Sequence, residues 1–105
     1  MISCNCIVQA GQISPETEAV LRANLSAFAE RAFGEPAEIN WRAIPERSGF
    51  TAAKPSTSSI ISMAANRPVP QPERADLLKE MCELWVKETH RSLDEVVGVI
   101  SDPQT

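Results

Sequence analysis

Side chains equipped for nucleophilic, metal-binding or proton-transfer chemistry are scarce in this chain: three cysteines, one histidine and no tyrosine among 105 residues. Cys4 and Cys6 lie two apart, a spacing that puts both thiols on one face of a strand. A metal held by such a pair needs further ligands. The single histidine, His90, falls near the predicted end of a helix, so buried, reduced thiols are the expected state and neither metal nor cofactor is expected. The odd number of cysteines also argues against a disulfide framework. The hydroxyl run Ser56, Thr57, Ser58, Ser59 reads as a polar entry to a strand. A nucleophilic serine needs an adjacent base, and His90 is not expected to reach it.

The bulk composition sets the remaining bounds. With 43% hydrophobic and 23% charged residues, the chain is that of an ordinary globular protein. Its length suits a single domain, residues 1–105. A net charge of -4 without a basic tract makes nucleic acid a poor partner, because binding it requires a positive surface. No apolar run approaches a spanning helix, and the start at Met1 has no signal-peptide pattern, so a cytoplasmic protein without membrane attachment is expected.

The elements that must position any site come in two like sets. The stretch from Ser14 to Glu46 recurs, shifted by about 57 positions, from Gln71 to Pro103. In that register Pro15-Glu16 meets Pro72-Glu73, Val20-Leu21 meets Leu77-Leu78, Phe28 meets Trp85, Glu38 meets Glu95 and Ile39 meets Val96. Upstream, Cys4 and Cys6 fall on Ile61 and Met63. Ser14 is the predicted N-cap of the first helix, with Pro15 at the first helical position, and Gly34 and Pro36 stop it. Val20, Leu21, Leu25, Phe28 and Ala32 form its apolar stripe. The second helix opens at Pro72-Glu73 and buries Leu77, Leu78, Met81, Leu84 and Trp85. Predicted strands run over 2–8, 39–44, 59–65 and 95–100, with Ser92 capping a turn before the last. Residues 45–58 read as an ordered loop between two β-α-β units, 1–46 and 58–105.

The string β-α-β-β-α-β admits two α/β (α+β) architectures. Two tandem right-handed units give a four-stranded sheet with both helices on one face. In the ferredoxin-like alternative, a small-molecule-binding domain, the same elements interleave. The pattern alone leaves both open.

Four segments bear a family likeness: Gly11-Gln12-Ile13-Ser14 after the first strand, Ile39-Asn40-Trp41, the loop Gly49-Phe50-Thr51-Ala52-Ala53-Lys54, and the closing run from Asp94 to Pro103. In order and spacing the chain resembles the tautomerase superfamily, and within it the fused, two-unit type of the cis-3-chloroacrylic acid dehalogenase group. The resemblance implies the tandem architecture, a homotrimer, and a small carboxylate as ligand. It also implies keto-enol isomerase or hydratase and dehalogenase-like chemistry carried by an amino-terminal proline amine. Here Ile2 stands in that place. A retained Met1 offers a primary amine instead, displaced by up to roughly 3.5 Å of chain. Residue by residue, Arg67 matches an arginine that holds the substrate carboxylate, Arg74 a second such arginine, and Asp102 an acidic residue that activates water. A guanidinium fork suits a carboxylate geometrically. Ile2 and Phe50 would line the substrate, with Trp41, Arg42 and Lys54 as weaker candidates. Ala29 takes the place of an expected histidine, and the absence of tyrosine leaves any phenolic role vacant. A catalytically silent binding protein or trimeric scaffold is the other function that the resemblance allows.

Overall fold

The computed structural model describes residues 1–44, 50–51, 54–55, 59–90 and 92–103. Along the chain these form β1 (Ile2–Gln9), α1 (Pro15–Phe33), β2 (Ala37–Ile44), a short antiparallel pair β3 (Phe50–Thr51) and β4 (Lys54–Pro55), β5 (Ser59–Ala64) and α2 (Gln71–Thr89). A 3-10 turn (Leu93–Glu95) then leads into β6 (Val96–Ser101). The four long strands make one sheet in the order β2-β1-β5-β6. β1 is parallel to β2 and β5 to β6, while β1 and β5 meet antiparallel at the centre. The units stand side by side without interleaving, which gives the tandem arrangement and rules out the ferredoxin-like one.

The internal repeat is written into the central ladder. Cys4 pairs with Met63 and Cys6 with Ile61. An offset of 57 carries the first pair onto the second and carries the middle pair, Asn5 and Ser62, onto itself. A pseudo-twofold axis therefore passes between Asn5 and Ser62. The offset slips at the last strand. Ile2 is in register with Ala37, but Ser59, its equivalent, is in register with Val96. The equivalent of Val96 is thus Ala37 and not Ile39, and the extra residues of the second unit are taken up by the turn at Leu93–Glu95. A slip of two keeps every side chain on its face of the sheet, which is why the apolar pattern still matched.

Local chemistry accounts for the helix ends. The Ser14 side chain accepts from the Thr17 N–H at 3.2 Å, and Gly34 closes α1 with φ 76°, a left-handed conformation that glycine adopts without a Cβ clash. At the end of α2 the same left-handed place is filled by His90, φ 59°. This is a structural duty for the single histidine. The buried face of α1 is Leu21, Leu25, Phe28, Ala29 and Phe33, whereas Val20, expected on the stripe, is 42% exposed. Met81 and Trp85 are the fully buried residues of α2, with Leu77, Leu78 and Leu84 packed partly against the core.

Both helices cover one face of the sheet, onto which Ile2, Cys4, Cys6, Ile61 and Met63 point. α2 packs tightly over β6: a Cβ at Gly98 would meet Cys82 Sγ at 3.0 Å and Met81 Cε at 3.2 Å. Side chains alternate along each strand. The opposite face, which neither α1 nor α2 covers, presents Asn5, Asn40 and Ser62 with Ile60, Val97 and Val99, the last three 38%, 47% and 40% exposed. Among the described residues, no helix is long and apolar enough to cross a membrane.

Candidate functional site

Topology gathers one set of polar groups at a single end of the sheet. Because β1 and β2 are parallel, the turn that ends α1 must return to the start of β1, and the Ile2 N–H donates to Pro36 O at 3.0 Å. Because β5 is antiparallel to β1, the residues after β5 arrive at the same end, and the parallel β6 brings Asp102 there too. Met1, Glu35, Asn66, Arg67, Arg74 and Asp102 are thus drawn together by strand directions alone.

The amino terminus is held by a short relay. The Met1 amine donates to Glu35 Oε1 at 3.0 Å, and Asn66 Nδ2 donates to Glu35 Oε2 at 2.8 Å. Asn66 also donates to Phe33 O at 2.9 Å, and Arg67 Nη2 to Ala32 O at 3.3 Å. These are last-turn carbonyls of α1, which lack partners within the helix. The Arg67 guanidinium lies over the Phe33 ring, 5.6 Å from its centroid. One helix end therefore anchors both the relay and the arginine beside it.

Arg67 is not empty. Its Nη1 and Nη2 donate to the two carboxylate oxygens of Glu73 at 3.0 and 2.7 Å, a two-pronged pairing. Arg74 acts as a clasp: it donates to Asp102 Oδ1 at 2.6 Å, to Val69 O at 2.9 Å and to Ile100 O at 3.1 Å. The Val69 N–H donates to the same Asp102 oxygen at 3.1 Å. Arg74 and Asp102 together fasten the β6 end to the loop before α2.

Hydrogen bonds set the charge state of this end. The Arg74 bond, aided by the Val69 N–H, holds the Asp102 carboxyl below its ordinary range. Arg67 does the same to Glu73, and Asn66 with the Met1 amine does so to Glu35. An acid depressed in the folded state stabilises the fold above its unfolded pKa, about 4, and that contribution disappears as pH falls through the folded value. Thermal melts are therefore expected to weaken below about pH 4. Replacing the three acids by Glu35→Gln, Glu73→Gln and Asp102→Asn should flatten that decline. The change is modest because all three are well exposed. An unaltered acid slope in the triple variant would refute the assignment.

Of the remaining sequence candidates, none whose side chain is described joins this cluster. The Ile2 side chain is 1% exposed, within the core. Ala29 is fully buried. The side chain of Phe50 lies outside the described residues, as do those of Lys54 and the run 56–58. Trp41 stacks on Trp85, centroids 5.6 Å apart, and with Arg42 it borders a concavity of about 550 Å³ in the middle of the strands. The Cys4 and Cys6 sulfurs are 4.0 Å apart in the core, both free, and the Cys6 thiol is pushed up by its bond to Cys4 and by burial, which makes it a poor nucleophile. Among the described residues no group of three or more His, Cys, Asp or Glu forms a metal site. Sequence reasoning missed Glu35, Asn66 and Glu73. The signal for Glu35 was available, since a parallel β-α-β unit obliges the Gly34–Pro36 turn to meet the start of its own first strand.

With this geometry in hand, solved structures supply the comparison. The chain superimposes on Ps01740 with a TM-score of 0.89 at 21% identity, covering 98% of this chain and 95% of that one. N1, a member of the cis-3-chloroacrylic acid dehalogenase family, matches with a TM-score of 0.84 at 16% identity over 96% of this chain and 74% of its own. Q0, a fused 4-OT wild-type symmetric trimer, matches with a TM-score of 0.84 at 13% identity over 96% and 85%. The fold is tautomerase-like. No family model matches the chain, and no curated protein matches it either. In this tautomerase-like frame the end of the sheet that holds Met1 also holds Arg67.

Proposed function

We propose that the chain is a fused, two-unit tautomerase-superfamily protein that isomerises or hydrates a small keto, enol or unsaturated carboxylate with a base other than proline. The observation that carries this reading is that the chain's own amino group, tied through Glu35 to Asn66, lies at the same end of the sheet as Arg67, the residue next to Asn66. Arg67 binds the carboxylate; its plane, set by Phe33 and Ala32 O, already accepts one carboxylate in a forked geometry. The Met1 amine moves the proton. Asp102, ionised and fastened to Arg74, is better suited to fixing Arg74 than to taking a proton, because a carboxyl held below its ordinary range is a weak base. N1 belongs to a family named for an unsaturated carboxylate, which agrees with the substrate class.

The wild type is expected to change the ultraviolet absorbance of phenylpyruvate or 2-hydroxymuconate faster than buffer. In Arg67→Ala, kcat/KM should fall by about 10²-fold, mostly through KM, the mark of lost substrate binding. Turnover no faster than buffer would remove the enzyme reading for those substrates, and an unchanged KM in a folded Arg67→Ala would remove Arg67 from it.

A second reading rests on the sheet face opposite α1 and α2. Ile60, Val97 and Val99 stand exposed there, more apolar surface than a strand face in water needs. Q0 is a trimer, and we infer that this face packs in a homotrimer, with or without catalysis. Sedimentation at three times the monomer mass is expected, and a monomer at micromolar concentration would exclude it.

A further inference from the structure

Resting on the reading of Arg67 as the carboxylate-binding residue, we propose that Glu73 is a built-in competitor for that carboxylate and sets the concentration at which an anion takes the seat. Its two oxygens sit on Arg67 Nη1 and Nη2 at 3.0 and 2.7 Å, the two-pronged position that a ligand carboxylate would take. The seat does not depend on Glu73 for its shape. Phe33 beneath the guanidinium, 5.6 Å from ring centroid to Cζ, and Ala32 O at 3.3 Å from Nη2 hold the arginine from the α1 side. Glu73 can leave at small cost. It lies in the first turn of α2, where an acidic side chain is favoured by the helix dipole whether or not it is paired. Both partners of the ion pair are open to water, the side chains 38% and 42% exposed, so solvent and small anions reach them.

The competition is uniform. Every anion, chloride or carboxylate, must displace Glu73 from the same fork, so Glu73 lowers the affinity of Arg67 for each by one factor. A planar carboxylate replaces both contacts where chloride offers one, so it displaces Glu73 at the lower concentration.

Titration of the folded full-length chain with pyruvate, followed by calorimetry or by the Arg67 side-chain NMR signals, tests this. Because exposed ion pairs are weak, Glu73→Gln and Glu73→Ala should each bind pyruvate about two- to fivefold more tightly than wild type. Chloride should compete with pyruvate in the variants more effectively than in wild type, and Arg67→Ala in either background should abolish the gain. Equal or weaker pyruvate binding in both Glu73 variants, with wild type binding and Arg67→Ala not, would overturn the competitor role and leave the reading of Arg67 standing. No pyruvate binding by any of the proteins would overturn both.

Discussion

Replacing Trp85 by alanine is expected to destabilise the chain by about 3–5 kcal/mol, the range for removing a large aromatic side chain from a core. Trp85 is 0% exposed and stacks on Trp41 with an interplanar angle of 23°. It is the repeat partner of Phe28, itself 1% exposed, so both units carry an aromatic anchor at this place on the buried face of the helix. One term works in the opposite direction. The Trp85 Nε1–H is buried without an acceptor among the described residues, and its removal returns part of a desolvation cost of about 1–3 kcal/mol. The cavity left by a nine-atom ring system outweighs that return, and the result should fall near the lower end of the range. Since a domain of this size is stable by only about 5–15 kcal/mol, urea unfolding should show a midpoint lowered by a large fraction. Trp85→Phe keeps a ring and discards the unpartnered N–H, so its loss should be well below that of alanine. A Trp85→Ala midpoint indistinguishable from wild type would mean that the indole is not in the core.

Much of this fold was legible because its signals are local. Ser14, Pro15 and Gly34 each declare a helix end through their own backbone chemistry, and all three act as read. The apolar spacing of α1 and α2 located the buried faces, with Val20 the exception: it lies at the rim of the stripe, where a 100° step leaves a side chain between core and water. What local pattern could not decide was strand pairing. The choice between tandem and interleaved units depends on contacts such as Cys4 with Met63, far apart in sequence, and on the right-handed crossovers that both architectures satisfy.

The site divides along the same line. Once β1 is placed antiparallel to β5, Met1 and Arg67 have to share an end, so the candidate pair follows from topology. Their hydrogen bonds do not. Glu35, Asn66 and Glu73 are surface residues by type, and their roles depend on how the turn after α1 and the segment of Pro68, Val69 and Pro70 set side-chain directions, which no periodicity records. Arg74 shows the converse. Read as a second anion-binding arginine, it has three of its donor contacts directed to Asp102, Val69 O and Ile100 O, and a ligand would have to displace them.

Extending the chain by two residues before Met1 is expected to lower kcat toward a keto or enol carboxylate by about 10²- to 10⁴-fold, the usual worth of a positioned proton-transfer group. The extension turns the amine into an amide, which can neither give nor take a proton at neutral pH, and sets the new amine several ångströms from Glu35. Stability should barely change. Met1 is 71% exposed, and its ion pair with Glu35 is open to water, a kind of contact that contributes little to folding. The matching urea midpoints then separate lost chemistry from lost structure. Glu35→Gln supplies the second arm: with one acceptor oxygen in place of two it can hold only one of the Met1 amine and Asn66 and carries no charge, so the amine is no longer fixed and kcat should fall while KM stays near that of wild type. Intact-mass measurement of each protein fixes the residue at its amino terminus. An extended chain that turns over at the wild-type rate would take the amine out of the mechanism and leave the trimeric, non-catalytic reading as the one that the geometry supports.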